Sequence, residues 1–199
     1  MLPASLSRSH FRVSLAAAII LAVSPLALPA STPDTPPSAT DILSKAKAQA
    51  SAEHKNILLE FSASWCGNCR LYEHFLADPE MHTILSRAFV FATMDTGEHQ
   101  SDTKHANTPG GVDFLNSIGG RGKGVPWLAM LDINGKLIVS SDRPDPKNKS
   151  SNSNIGYPDA PEEIDWFIDM LRNAAPQLNQ QDLANVSTWL TAHSTTQRH

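Results

Sequence analysis

The chain has 199 residues, 41% of them hydrophobic, and its 16 Lys plus Arg against 20 Asp plus Glu give a formal charge of −4. That length holds one main domain with a real core. The acidic balance, with no basic cluster interleaved with aromatics, argues against a nucleic-acid partner and against membrane-surface binding through Lys or Arg.

Residues 1–30 read as a signal peptide: Arg8 and Arg12 precede an apolar run from Val13 to Leu28, followed by the small residues Ala30 and Ser31. The run is interrupted by Pro25 and falls short of the ~20 residues of a spanning helix. Cleavage near Ala30 is expected, with an uncleaved anchor as the alternative. Cleavage would leave a soluble chain of formal charge −6, without stable membrane insertion, in the periplasm or secreted. Residues 31–40, STPDTPPSAT, form an extended linker.

From Asp41 to His54 the Ala- and Lys-rich pattern with Ile42, Leu43, Ala46 and Ala50 at helical spacing predicts an amphipathic helix. NILLEFSAS follows as a nearly unbroken apolar run, the mark of a strand buried on both faces. After Trp65 the pattern turns helical, with Leu71 and Phe75, and Tyr72 and Leu76, paired four apart. Asp78 and Pro79 restart a helix as N-cap and first helical residue, and FVFATMD at 89–95 is a second strand.

Residues 96–111 form a long polar loop, then VDFLNSI makes one or two helical turns. Two strand-like runs in VPWLAMLDINGKLIVSS are joined at Asn134 and Gly135, a hairpin signal. Residues 142–157 read as another polar loop. An acid-started amphipathic helix covers 160–174 with Ile164, Phe167, Ile168 and Leu171 inward, and a last helix runs through Leu183, Val186 and Leu190.

The only cysteines, Cys66 and Cys69, stand at the start of the helix that follows the first strand. Free N–H groups and a partial positive charge at a helix N-terminus stabilise a thiolate, and a second thiol one turn along can resolve a mixed disulfide. Three other roles remain beside exchange chemistry. A structural disulfide closing so short a loop contributes only about 2 kcal/mol. A copper or zinc site would need further ligands, and His74, His99 and His105 show no recognisable spacing for it. A non-catalytic docking module would keep the fold without the chemistry. Haem attachment is closed, because position 70 is Arg.

The sequence W-C-G-N-C at 65–69 after a buried strand, with Val125-Pro126 before a later strand, resembles the thioredoxin superfamily. Within it, NILLEFSASWCGNC and LADPEM are similar to exported thioredoxin-like domains such as the C-terminal domain of the transmembrane thiol:disulfide interchange reductase. The resemblance covers about residues 41–174 and implies an α/β fold with a central mixed sheet flanked by helices, followed by a C-terminal helical extension at 175–199.

By that resemblance Cys66 is the exposed nucleophile and Cys69 the more buried resolving thiol. Trp65 flanks the site, Pro126 is a cis-proline beside the disulfide, and the Val125 backbone pairs with a substrate strand. Glu60 falls where the family places a buried acid, with Phe91 where many members carry a lysine. In an apolar strand its pKa should rise, and it is the candidate to take the Cys69 proton. Gly67 and Asn68 tune the redox poise; uncharged Asn68 leans away from a strong oxidase. No cofactor or resident metal is implied beyond the cysteine pair. The partners implied are protein thiols and disulfides and a membrane-bound electron donor.

Overall fold

The computed structural model describes residues 36–148 and 151–195; the expected signal peptide and the first half of the expected linker lie outside them. Helix α1 (Ala39–Glu53) begins two residues before the expected start, because Ser38 caps it. Its hydroxyl accepts from the Asp41 N–H while the Asp41 carboxylate accepts from the Ser38 N–H, a reciprocal pair that satisfies two otherwise open donors.

Strand β1 (Asn56–Ser62) is the sheet's spine. It pairs parallel with β2 (Phe89–Asp95) and antiparallel with β3 (Trp127–Leu131), which pairs antiparallel with β4 (Leu137–Ser140). The order β2-β1-β3-β4 makes a mixed sheet. Alternation along β1 divides the core. Ile57, Leu59 and Phe61 face α1 and α4 (Gly111–Ser117), whereas Leu58 faces the opposite layer. That layer holds α2 (Gly67–Ala77), α3 (Pro79–Leu85), α5 (Pro161–Ala174) and α6 (Gln180–His193).

The local signals account for the boundaries. Asp78 Oδ1 accepts from the N–H groups of Glu80 and Met81, so α3 starts at Pro79. Asp132 Oδ1 accepts from Asn134 and Lys136, and Gly135 takes φ 83° in the β3–β4 turn, a conformation open to glycine.

One segment differs from expectation. Residues 142–157 are not merely loop: β5 (Asp142–Pro144) and β6 (Asn152–Asn154) form a small hairpin. The expected C-terminal helix is α6, and it packs into the core. Leu183, Val186 and Leu190 of α6 join the same hydrophobic cluster as Phe75 and Phe167, and Trp189 packs on Phe75 with ring centroids 5.2 Å apart.

Candidate active site

Topology assembles the site. Because β1 and β3 are antiparallel, with Phe61 opposite Trp127, the end of β1 lies beside the start of β3. The turn leaving β1 therefore meets the segment entering β3. Cys66 caps α2 from that turn, and its Sγ accepts from the Cys69 N–H at 3.0 Å. The same sulfur lies 3.5 Å from the Val125 carbonyl oxygen. Cys66 and Cys69 are joined as a disulfide, and the Val125–Pro126 peptide is cis.

Exposure departs from the expectation of an open nucleophile. Cys66 is 3% and Cys69 1% exposed, both packed with Ala63 and Val125. The side chain that meets solvent is Trp65, at 52%. Gly67 and Asn68 form the exposed first turn of α2 between the sulfurs. In the oxidised protein the disulfide lies beneath its flanking residues, and the backbone of Val125 is the polar edge beside it.

Glu60 is 2% exposed, and its Oε1 has no hydrogen-bond partner. Burial pushes its pKa up to about 8, and the nearby negative charge of Glu73 adds to the rise. The Ser62 hydroxyl, which favours the ionised form, offsets only part of this. Alternation in β1 puts Glu60 on the same sheet face as Leu58, the layer that contains Tyr72. The Tyr72 phenol is also buried without a partner, and burial together with Glu60 holds its pKa far above the usual value. Phe91 packs against this layer, and the charges acting on Glu60 come from Glu73 and Asp95.

Several residues with no motif shape the site. The polar segment 96–110 folds onto the active-site turn. Thr96 and Gly97 N–H both donate to the Ser62 carbonyl, the Gly97 carbonyl accepts from Trp65 Nε1 at 2.8 Å, and His99 stacks on Trp65. Glu98 accepts from Ser64, and the Ser64 carbonyl accepts from Arg70 Nη1 at 3.0 Å. On the other side, Asn154 of β6 donates to the carbonyls of Gly124 and Pro126.

Of the histidines weighed as candidate metal ligands, His105 lies with Glu98 and Asp102, one ligand atom of each within 4.8 Å of the others. Two of these side chains already engage each other, His105 Nδ1 lying 2.9 Å from Asp102 Oδ2. The cysteines take no part in this group.

Residues 38–132 match the model of a family described as thioredoxin-like. That match supports a thioredoxin-superfamily domain over those residues. Among solved structures, this thioredoxin-like chain is similar to a disulphide isomerase from Xylella fastidiosa Temecula1. Identity there is 18% over 83% of this chain and 98% of the other, with a TM-score of 0.45. A DsbH oxidoreductase matches at 17% identity over 70% and 82% of the two chains, TM-score 0.38. A thioredoxin-fold protein from Helicobacter pylori matches at 13% identity over 70% and 86%, TM-score 0.35. No curated protein matched. A thioredoxin-like fold bearing the Cys66–Cys69 pair supports thiol–disulfide redox activity. Among the described residues, no helix is long and apolar enough to cross a membrane.

Proposed function

We propose that this protein is an exported thiol–disulfide oxidoreductase acting on protein disulfides in the periplasm or an equivalent space. The observation that carries the reading is the placement of Cys66 Sγ at the α2 N-terminus, on the Cys69 N–H and beside the Val125 carbonyl. That N–H and the helix dipole favour a Cys66 thiolate once the pair is reduced.

In the forward direction the Cys66 thiolate attacks one sulfur of a client disulfide, forming a mixed disulfide and expelling the client's other sulfur as a thiolate. Cys69 then loses its proton and attacks Cys66 Sγ. The Cys66–Cys69 disulfide forms, and the second client thiol leaves. Two electrons pass from the protein dithiol to the client, and two protons end on the client thiols.

Glu60, with a pKa near that of an ordinary thiol, is matched to accept the Cys69 proton. Trp65 and the Val125–Pro126 backbone border the client, and Gly67 and Asn68 set the poise. The couple needs no cofactor beyond its own disulfide, and its turnover requires a dithiol donor, assigned to a membrane-bound partner.

The test is the variant Cys69→Ser, reduced and mixed with a peptide disulfide. A stable adduct at Cys66, released by excess dithiol, is expected. No adduct, with the variant folded, would leave a docking module as the reading. The direction follows from the potential of the wild-type pair: near or below about −230 mV for a reductant, about −120 to −180 mV for an oxidant or isomerase.

A further inference from the structure

Glu98 stands 34 residues beyond Ser64 in sequence, yet its carboxylate takes both side-chain and backbone donors of that residue. Oε1 accepts the Ser64 N–H at 2.5 Å and Oε2 accepts the Ser64 hydroxyl at 2.9 Å. Hydrogen bonds to an ionised acceptor are roughly twice as strong as neutral ones. Glu98 is only 8% exposed, so its carboxylate is held at the site although Ser64 itself is exposed.

The clamp is itself anchored. The Glu98 N–H donates to Asn107 Oδ1 at 2.8 Å, and its carbonyl accepts from Asn107 Nδ2. On the other side of Ser64, Arg70 of α2 holds the carbonyl. Every polar group of Ser64 therefore has a partner, drawn from the loop on one side and the helix on the other. Two residues on, Cys66 N–H donates to the Ala63 carbonyl, so the clamped residue sits inside the turn that aims Cys66 at the Cys69 N–H.

We propose that Glu98 is a positioning residue for the redox couple, fixing the 63–66 turn so that the two thiols of the reduced protein stay within reach of one another. The inference rests on the reading of the pair as redox-active. Its physical content is proximity: the tighter the geometry holding two reacting groups, the higher their effective concentration and the more the ring-closed disulfide is favoured. Releasing the turn makes the disulfide easier to reduce.

Charge is the competing explanation. Glu98 lies near Asp95, Asp102 and His105, and removing a carboxylate also favours thiolates nearby. Glutamine separates the two. Its amide oxygen accepts the Ser64 N–H and its amide N–H reaches the Ser64 oxygen, so geometry survives while charge goes.

The experiment equilibrates wild type, E98A and E98Q with glutathione. Two glutathione thiols reduce the protein disulfide, giving the dithiol and glutathione disulfide, and the constant for the reverse oxidation is measured. For E98A this constant is expected to fall about tenfold, which is about 30 mV for a two-electron couple, while E98Q stays within about twofold of wild type. An unchanged E98A, or an E98Q that falls as far as E98A, overturns the proposal. A wild-type protein with no reversible couple defeats the oxidoreductase reading instead. Should E98A fail to fold, S64A decides, since it drops only the hydroxyl bond: a fall of about threefold supports the clamp, and an unchanged constant overturns it.

Discussion

The side-chain amide of Asn154 donates to the Pro126 carbonyl at 2.9 Å, and its second proton reaches the Gly124 carbonyl at 2.8 Å. Its Oδ1 accepts from the Ser141 hydroxyl at 2.7 Å and from the Gly156 N–H at 3.1 Å. One side chain from β6 thus ties the peptide on either side of Val125 to the end of β4. Replacing it by alanine strips donors from two carbonyls and acceptors from two donors. Asn154→Ala is expected to lower stability by about 1–3 kcal/mol. Because the Val125 segment borders the disulfide, exchange with peptide disulfides should slow as well. Urea unfolding with a peptide-disulfide assay checks both, and wild-type values in each would remove Asn154 from the site.

Glu60 ties stability to pH. Its folded pKa is about 8 against an ordinary 4.5, so between those values the folded chain keeps a proton that the unfolded chain has released. Stability from this group therefore falls as pH rises from about 4.5 to about 8, by about 1.4 kcal/mol per pH unit, and is flat beyond both ends. Glu60→Gln should flatten that slope in the oxidised protein, where the thiols do not titrate. In the reduced protein, the resolving step should slow roughly 100-fold, the lower end for loss of a general base. Denaturant midpoints across the pH range and single-turnover kinetics are the measurements. A slope that survives the substitution would assign it to another group.

Leu190 tests whether α6 belongs to the fold. It is fully buried in the cluster that also holds Phe75 of α2 and Phe167 of α5, and α6 is further tied to α3 by Asn185 on Glu80 and to Arg87 by Asp182. Leu190→Ala should cost about 2–5 kcal/mol and shift one cooperative transition. Two separable transitions in urea, with the Trp65 environment unaffected by the first, would make α6 an independent appendage.

What the sequence made legible was periodic. The 3.6-residue spacing of Ile164, Phe167, Ile168 and Leu171 and the unbroken apolar run in β1 are set by burial against a sheet, so α5 and β1 lie where those patterns fall. The capping chemistry of Asp78 and the Asn134–Gly135 turn are equally local. The β5–β6 hairpin escaped because its strands are three residues each and polar, held by Ser141 and Asn154 side chains and not by an alternating apolar face. Glu98 and Glu73 carry no spacing signal relative to the cysteines, since their roles arise where a loop or helix face arrives in space. The burial of Cys66 was hidden for the same reason, as Val125 comes to it from 59 residues away. Gly97 was the available cue in the 96–111 loop, a glycine amid polar residues just before Glu98.

That glycine supplies the last prediction. A Cβ at Gly97 would lie 2.9 Å from Ala63 Cβ and 3.3 Å from Val125 Cγ2, so the loop approaches the turn leaving β1 more closely than a side chain permits. Ala63 cannot yield freely, because its carbonyl accepts the Cys66 N–H at 3.0 Å, and Val125 is held through the neighbouring carbonyls bound by Asn154. Gly97→Ala must therefore part the two walls that cover the disulfide. Overpacking of this kind costs about 1–3 kcal/mol. Parting the walls uncovers Cys66 to a small thiol while displacing the Val125 backbone that borders a peptide. Reduction by dithiothreitol should accelerate several-fold as exchange with a peptide disulfide slows. Both rates are read from stopped-flow tryptophan fluorescence, for which Trp65 is the neighbouring reporter. Two rates that move together would mean that Ala63 and Val125 do not gate access to Cys66.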